Sequence, residues 1–209
     1  MPAKLNKETV KNFWRDRAGY SESRWTSNEL LEFERIYLDA FLPSSPITIL
    51  DIGSGSGQLS KSIKRLGDRL IAVDNEVGFQ KYFVGDNMEF IHCNAADFKF
   101  EQQADLILLF GVIDYLTDQE ISEIFTRVAS LPNRDLQFIV KAQFAINEHH
   151  EIDKFSSELN FQYSARYLKF DSFLNFLEGF KKRLEIIEYP QEFNQREGFV
   201  HKAIRIYEK

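Results

Sequence analysis

Glycines at alternate positions follow a short apolar run near residue 50, and their spacing is the clearest sign of chemistry in the sequence. Residues 47–52 are apolar or β-branched apart from Asp51, and Gly53, Gly55 and Gly57 follow directly. Glycine allows a positive φ and a close approach of the backbone to a ligand. The free N–H groups at a helix start attract negatively charged or electron-rich groups. The spacing therefore predicts a site for a nucleotide-type ligand.

A strand and a helix must hold this turn. The run before the glycines is typical of a strand that is buried on both faces. After them, Leu59, Ile63 and Leu66 fall on one face of a helix that we expect to end at Gly67. Strand, glycine turn and helix are predicted to form the first half of a βαβ unit.

Acids also accompany three later apolar runs. The second run ends in Asp74, the third ends in Asp97, and the fourth, residues 104–118, contains Asp114. In open α/β sheets, ligands bind outside the carboxyl ends of the strands. We therefore expect these acids and the glycine turn to share one edge of a parallel sheet with helices on both faces.

Two classes of cofactor use such a turn, and they differ in the spacing of the glycines. A dinucleotide fold requires Gly-x-Gly-x-x-Gly, but the place of the last glycine is taken by Gln58. Asp74 would suit the ribose of NAD equally well, because a carboxylate accepts hydrogen bonds from both ribose hydroxyls. A nicotinamide oxidoreductase remains an alternative that Gln58 and Asp97 disfavour.

The four runs together resemble class I S-adenosylmethionine-dependent methyltransferases. The pattern Asp51-x-Gly53-x-Gly55-x-Gly57 is similar to the first motif of that family, and residues 104–118 resemble its fourth motif. The resemblance is strong over residues 47–145. It implies a Rossmann-like, seven-stranded, mostly parallel sheet with helices on both faces and an antiparallel last strand. It also implies S-adenosyl-L-methionine as the cofactor.

The resemblance assigns a part of the cofactor to each turn. Gly53 and Gly55 would face the methionine part, and Asp74 would bind the ribose. An acid in the place of Asp97 receives the adenine amino group in the family, and Arg24 would fork onto the methionyl carboxylate. The expected cofactor-binding residues are Asp51, Gly53, Ser54, Gly55, Gly57, Asp74, Asn75, Ala96, Asp97, Phe98, Phe110, Gly111 and Arg24.

The acceptor side needs a proton acceptor if the methyl group goes to a hydroxyl, whereas an amine needs only to be unprotonated. His149 and His150 lie just past the expected fifth strand, and histidine is the natural base near neutral pH. Adjacent histidines in a polar loop are more often exposed, and Asp114 is the other candidate base. No recognised spacing of metal ligands is present near them, so we expect no metal site.

Several substrate classes are disfavoured. Residues 110–113 read Phe-Gly-Val-Ile, which does not resemble the Asn/Asp-Pro-Pro-aromatic turn of enzymes that methylate amino groups of DNA and proteins. The Pro-Cys nucleophile of cytosine-C5 methylases is also not found after the fourth strand. The net charge of −6 argues against a nucleic-acid surface. The turn and the charge together favour a small molecule as the acceptor. Residues 13–18, 22–26 and 163–167 resemble methyltransferases associated with bacterial surface-glycan assembly, which favours a sugar hydroxyl. A noncatalytic protein that binds the cofactor or a partner is the alternative.

The composition suits one domain. The 209 residues, 44% of them hydrophobic, suffice for one sizeable core. We divide the chain into an N-terminal helical cap (1–45), a cofactor-binding half (46–145) and a substrate-side half (146–209).

The single cysteine fits a reducing compartment. No apolar run approaches the roughly 20 residues of a membrane span and no signal peptide is evident, so we expect a cytoplasmic protein without membrane insertion. The oligomeric state is left open.

The remaining elements follow from periodicity and capping patterns. Helices are predicted over residues 6–18, after a capping box of Thr26 and Glu29, and after a second box of Thr117 and Glu120. A fifth strand is predicted over residues 136–144, and the last two strands over 183–189 and 199–207. Residues 145–168 are interpreted as a long loop, because the polar run 147–155 lacks clear periodicity. An aromatic cluster of Phe161, Tyr163, Tyr167 and Phe170 follows this run, and Asp171 is then expected to cap a helix.

Overall fold

Runs of buried apolar residues form the strands of the central sheet. In β1 and β4 every residue but one is buried, as expected for strands with both faces covered. The computed structural model describes residues 5–19, 27–101, 103–132, 135–157, 160–180 and 182–208. The strands are β1 Thr48–Ile52, β2 Arg69–Asp74, β3 Met88–His92, β4 Leu106–Phe110, β5 Gln137–Ala145, β6 His150–Ser156, β7 Phe161–Tyr167, β8 Arg183–Glu188 and β9 Phe199–Tyr207.

Within the described residues, seven of these strands make one sheet in the order β3-β2-β1-β4-β5-β9-β8. The first five strands in this order, β3, β2, β1, β4 and β5, run parallel to one another. Strand β9 pairs antiparallel with both β5 and β8. The predicted seven-stranded, mostly parallel sheet with an antiparallel last strand is confirmed. The strand order reverses between β1 and β4, which is where open α/β sheets bind their ligands.

Helices cover both faces of the sheet. The capping box predicted at Thr117 and Glu120 is present, because each side chain accepts a hydrogen bond from the other residue's backbone N–H. No helix in the described segments has the length and apolar character needed to span a membrane. The α-helices are α1 Lys7–Arg17, α2 Asn28–Asp39, α3 Gln58–Ile63, α4 Asp118–Ala129 and α5 Phe170–Leu174; 3-10 helices are Val77–Tyr82, Ile113–Tyr115, Asn175–Leu177 and Gln191–Phe193.

A buried cluster lies on each face of the sheet. On the face covered by α4 and α5, the ring of Phe125 makes edge-on contacts with Phe138, Phe173 and Phe180. The cluster on the other face joins α2 and α3 to β1, β2, β4 and β5. The sheet is therefore held rigidly from both sides, and its loop-bearing edge is left for a site.

The prediction of a long loop at residues 145–168 is wrong. Strands β6 and β7 pair antiparallel there as a separate two-stranded sheet. Its buried residues include Ile152 and Ala165. Helix α1 packs on this hairpin: the backbone N–H of Asn6 donates to Ser164 Oγ at 2.9 Å, and the rings of Phe13 and Tyr163 lie 5.3 Å apart.

Helix α3 also differs from the prediction, because it ends at Ile63 and the side chain of Leu66 is fully exposed. The buried carboxylate of Asp68 explains the early end. It accepts hydrogen bonds from the backbone N–H groups of Ile47 and Arg65, both at 2.8 Å, and so turns the chain into β2.

Two helix starts differ from the predicted caps. Ser27 Oγ caps α2 by accepting from the Leu30 N–H at 3.2 Å, while Thr26 lies outside the described residues. Lys169 occupies the N-cap position of α5, and Asp171 falls inside its first turn. Sequence pattern alone does not decide between two possible capping residues that lie one or two positions apart.

Candidate active site

A cavity of about 910 Å³ lies at the carboxyl edge of the parallel strands, next to the point where the strand order reverses. Its size is near the upper end for small-molecule sites. The glycine turn and the ends of β2 and β4 contribute to its wall. Residues of α1, of the β6–β7 hairpin and polar residues near β5 and β9 complete the wall as far as the structure describes it.

The glycine turn lies tightly against β2. The backbone N–H groups of Gly53 and Ser54 both donate to the carbonyl of Val73, at 2.7 and 3.1 Å. Gly53, Gly55 and Gly57 all have positive φ, and a Cβ on Gly53 would lie 2.3 Å from a methyl carbon of Val112. Glycine is therefore required at Gly53 by both conformation and space.

The hydroxyl of Ser54 identifies the turn as a ligand-facing surface. Its oxygen is buried and has no hydrogen-bond partner among the described residues, and Ser54 lines the cavity. Buried polar atoms are nearly always paired, so an unpaired hydroxyl at a cavity wall calls for a bound polar group. The turn is suited to a small, polar ligand.

Asp74 joins the glycine turn to the end of β2. Its carboxylate accepts hydrogen bonds from the backbone N–H groups of Gly55 at 2.8 Å and Glu76 at 2.9 Å. Burial nonetheless raises the pKa of Asp74 to about 6. A carboxylate has about four lone-pair sites, so it can still accept from a ligand hydroxyl.

The structure brings most of the expected cofactor residues to the cavity. Asp51, although only 6% exposed, reaches it from the end of β1. A neighbouring residue that pattern reasoning did not select, Asn94, lines the wall beyond β3. The expected residues that line the cavity are Asp51, Gly53, Ser54, Gly55, Asp74, Asn75, Phe110, Gly111 and Asp114.

Other expected cofactor residues are placed elsewhere. The Asn94 carbonyl accepts the N–H groups of Asp97 and Phe98 in a tight turn; the Asp97 side chain is exposed, and the ring of Phe98 packs 5.0 Å from that of Phe100. Asp97, Phe98 and Ala96 are therefore not part of the described cavity wall. Gly57 is also not part of it and packs against Phe83. The position predicted for Arg24 falls outside the described residues.

The two candidate histidines are not brought to the cavity. His149 is exposed, and its Nδ1 accepts a hydrogen bond from the Lys169 backbone N–H at 3.1 Å. The exposed ring of His150 packs edge-on against Phe199, 5.5 Å away. Because the chain leaves the sheet edge to begin the hairpin at His150, both side chains lie away from the described cavity wall.

Asp114 is the candidate base that does reach the cavity. It lies in the 3-10 helix after β4, is 9% exposed, and accepts a hydrogen bond from the backbone N–H of Gln143. Burial raises the pKa of Asp114 to about 7, even though Lys141, Arg196 and Arg166 act in the opposite direction. A carboxylate with a pKa near the working pH is suited to general base catalysis.

A buried ion pair lies beneath this part of the cavity. Lys141 of β5 lines the cavity at 7% exposure, and its Nζ is 3.3 Å from Oε1 of the fully buried Glu34 in α2. The hydroxyl of Tyr189 donates to the same Glu34 oxygen at 3.1 Å. Sequence reasoning missed this pair, although a lysine inside the apolar fifth strand was a visible signal.

Aromatic side chains of the first helix, the hairpin and the segment after β4 form an aromatic part of the cavity wall. The hydroxyls of Tyr115, Tyr163 and Tyr167 form a chain with distances of 3.2 and 3.1 Å, and burial raises the pKa of each phenol. Phe13 and Trp14 of α1 line the same side. The cavity therefore combines a polar turn, a buried acid and an aromatic wall.

Residues 49–134 match a family model described as a methyltransferase domain. A 1,6-didemethyltoxoflavin-N1-methyltransferase from Burkholderia thailandensis, solved with 1,6-didemethyltoxoflavin and S-adenosylhomocysteine, superposes with a TM-score of 0.71 at 17% identity, covering 100% of this chain and 93% of that chain. A DhpI–SAH complex gives a TM-score of 0.70 at 15% identity, covering 97% and 98%.

The glycopeptide N-methyltransferase MtfA, solved with S-adenosyl-L-methionine, gives a TM-score of 0.64 at 11% identity, covering 86% of this chain and 94% of that chain. Among curated protein sequences, none matches significantly. The structural similarities, at these low identities, establish a shared fold. The family match spans the glycine turn, Asp74 and the region of β4 that the sequence motifs singled out. Residues 49–134 are therefore similar to a methyltransferase domain, and the chain shares its fold with solved methyltransferases.

Proposed function

We propose that the chain transfers a methyl group from S-adenosylmethionine to a hydroxyl of a small molecule, a sugar or glycan. One observation carries the proposal: a single cavity joins the glycine turn and Asp74 to the buried acid Asp114 and an aromatic wall. Each half suits one of the two reactants. The volume of about 910 Å³ can hold a nucleoside-sized cofactor together with a small acceptor.

The cofactor would be held at the glycine turn. Ser54 Oγ is available to a polar group, the glycines admit close backbone contact, and Asp74 can accept from ribose hydroxyls. When bound there, S-adenosylmethionine supplies a methyl group on a sulfonium, which is already an excellent leaving group. The protein then has to align an acceptor lone pair behind that methyl group, exclude water and accept a proton.

Asp114 would accept that proton. Asp114 lines the same cavity as the glycine turn, and the tyrosine hydroxyls that line it as well can bind acceptor hydroxyls. Flat aromatic side chains such as Trp14 would pack on the apolar face of a sugar ring. A ring nitrogen is the second candidate acceptor, favoured by the full-length similarity of fold to a toxoflavin N1-methyltransferase.

The proposal includes one domain acting in the cytoplasm. The N-terminal helix α1 is tied to the hairpin by the Asn6–Ser164 hydrogen bond, and a salt bridge joins Lys7 to Glu120 of α4. These contacts support a cap that belongs to the same folded unit. The single cysteine supports a reducing compartment.

The direct test combines ligand binding with methyl transfer. S-adenosylhomocysteine is expected to raise the melting temperature and NAD is expected to leave it unchanged, because a ligand that binds only the folded state stabilises it. Methyl-labelled cofactor is then incubated with fractionated cell extract, and label is expected in the saccharide fraction. Stabilisation by NAD alone would overturn the assignment. Binding of S-adenosylhomocysteine without methyl label in any fraction of the extract would favour a noncatalytic protein.

Asp74→Ala is expected to weaken S-adenosylhomocysteine binding about 10- to 100-fold in calorimetry. The change removes an acceptor for the ribose and leaves the Gly55 N–H without its partner, and hydrogen bonds to charged groups are worth roughly 1.5–3 kcal/mol. Asp97→Ala is the matched control, since Asp97 is exposed and outside the described cavity wall. Equal losses in both variants would show that the assignment of the ribose acid is wrong.

A further inference from the structure

Two opposite charges are buried beneath the cavity without an evident need in the fold. The side chains of Lys141 and Glu34 are 8% and 0% exposed, and they meet at 3.3 Å. Burying such a pair is costly, and apolar residues of similar volume often give equal or greater stability. The pair therefore calls for an explanation in what Lys141 does at the cavity.

The turn that carries Asp114 is fixed to β5 at Lys141 and at Gln143. In the sheet, Phe110 pairs with Lys141, and the Gly111 N–H donates to the Lys141 carbonyl at 2.8 Å. Further along the same strand, the backbone N–H of Gln143 donates to the Asp114 carboxylate. Lys141 and Asp114 consequently line the same wall and are joined by a rigid piece of backbone.

The other groups that face Asp114 are engaged with further partners. Arg166 of β7 donates to Asp118 Oδ1 at 2.6 Å and to the Leu116 carbonyl at 2.8 Å. Arg196, before β9, donates to the Gln143 side chain at 3.1 Å and lies over the rings of Tyr167 and Phe199.

The Tyr115 and Tyr167 side chains also adjoin Asp114, and burial raises the pKa of both phenols, so they remain neutral. Lys141 is thus a buried cation on the cavity wall, and its charge is paired with that of the buried Glu34. Its effect on Asp114 depends on how much of its charge Glu34 offsets.

We propose that Lys141 is a positioning residue that keeps the Asp114 carboxylate ionised, and that the buried Glu34 sets the strength of this effect. The inference rests on the proposed role of Asp114 as the base. The positive charge favours the ionised acid, while Glu34 holds the ammonium in place and partly neutralises it. The pair would then set the pH above which the acceptor can lose its proton to Asp114.

The test follows the titration of Asp114 itself, so it needs no acceptor. Proteins labelled with ¹³C at aspartate carboxyl carbons are titrated by NMR, and the Asp114 signal is assigned by its loss in Asp114→Asn. In Lys141→Met the titration midpoint is expected to rise by about one pH unit or more. In Glu34→Gln it is expected to fall, because the lysine charge is no longer offset.

Opposite shifts in the two variants distinguish an electrostatic role from loss of structure, which would move both midpoints in one direction. The double variant Glu34→Gln/Lys141→Met leaves no unpaired buried charge, and it is expected to titrate at a raised midpoint even if Lys141→Met alone does not fold. Lys202→Met is the matched control, because Lys202 of β9 pairs with Glu188 away from the described cavity wall.

Unchanged midpoints, or shifts in the same direction in both single variants, would overturn the inference. That failure would leave the methyl-transfer assay unaffected, since the labelled-cofactor experiment tests the proposed function independently of the titration.

Discussion

Asp114→Asn is expected to lower kcat for methyl transfer by about 10²- to 10⁴-fold, the usual contribution of a positioned base. An amide of nearly the same shape keeps the cavity wall but cannot take a proton from the acceptor. The measurement is turnover with labelled cofactor and the acceptor that the extract fractions identify. S-adenosylhomocysteine affinity, measured in parallel, is expected to remain close to that of the unmodified chain. A kcat within threefold of the unmodified chain would exclude Asp114 as the base.

The dependence on pH gives a second measure of the same role. Because the pKa of Asp114 is raised to about 7, the rate of the unmodified chain is expected to rise with pH up to that value and then level off. The residual rate of Asp114→Asn should lack this step. A profile that is flat between pH 5 and pH 9, a range taken as about two units either side, would contradict the assignment.

Stability is expected to change in the direction opposite to activity. The folded state holds the Asp114 proton more tightly than the unfolded chain, so this group contributes stability at low pH that is lost as pH rises towards about 7. In Asp114→Asn no carboxyl proton is released as pH rises, so this loss of stability does not occur. Its melting temperature at pH 8 should therefore equal or exceed that of the unmodified chain, which would show that lost activity does not reflect unfolding.

Gly53→Ala is expected to weaken S-adenosylhomocysteine binding by more than about 100-fold and to lower the melting temperature. The new Cβ would lie 2.3 Å from a methyl carbon of Val112, on backbone with a φ of 71° that disfavours any side chain. Relief of the contact must move either the glycine turn or the segment after β4. Both movements disturb the cavity wall, and calorimetry with differential scanning measures the two effects.

Gly198→Ala separates the clash from the backbone strain. Gly198 also has a positive φ, of 81°, but nothing lies within 4 Å of an added Cβ and the residue is not part of the described cavity wall. We expect a modest loss of stability and unchanged cofactor affinity there. Truncation of Val112 to Ala in the Gly53→Ala background should recover part of the binding. If Gly198→Ala impaired binding as strongly, the contact with Val112 would not be the cause.

The centre of the sheet was predictable because β1, β2 and β4 are buried on both faces and stand out as apolar runs. The four runs that begin at residue 47 gave β1 to β4 in the correct order, and Thr117 with Glu120 located the start of α4. These are local signals, since capping and periodicity depend on neighbouring residues alone. The turn glycines were predictable for the same reason.

The hairpin was missed because few of its residues are buried. In β6, only Ile152 is buried, so the polar run around it has no apolar periodicity. The signal in β7 was present: Phe161, Tyr163, Ala165 and Tyr167 alternate with polar residues, as in a strand with one covered face. Grouping them as an aromatic cluster concealed that alternation.

The residues of the candidate site also divide into those that local sequence patterns predict and those that they do not. The placement of Asp51, Gly53, Gly55 and Asp74 at the cavity could be predicted because strand ends share one edge of a parallel sheet. The side-chain directions beyond the strands could not: Asp97 turns outward after Asn94, and His150 faces Phe199. The Lys141–Glu34 pair depends on a contact between β5 and α2 that no local pattern contains.

The hydrogen bond between Asn6 and Ser164 fixes an order of assembly. Asn6 and Ser164 must meet across a separation of 158 positions in the sequence, whereas the glycine turn meets Asp74 across 19. Closing the longer loop costs more entropy, although the cost grows slowly with length. During synthesis on the ribosome, the nucleotide-type turn can therefore form early, while α1 must wait for the hairpin to emerge before the aromatic wall is complete.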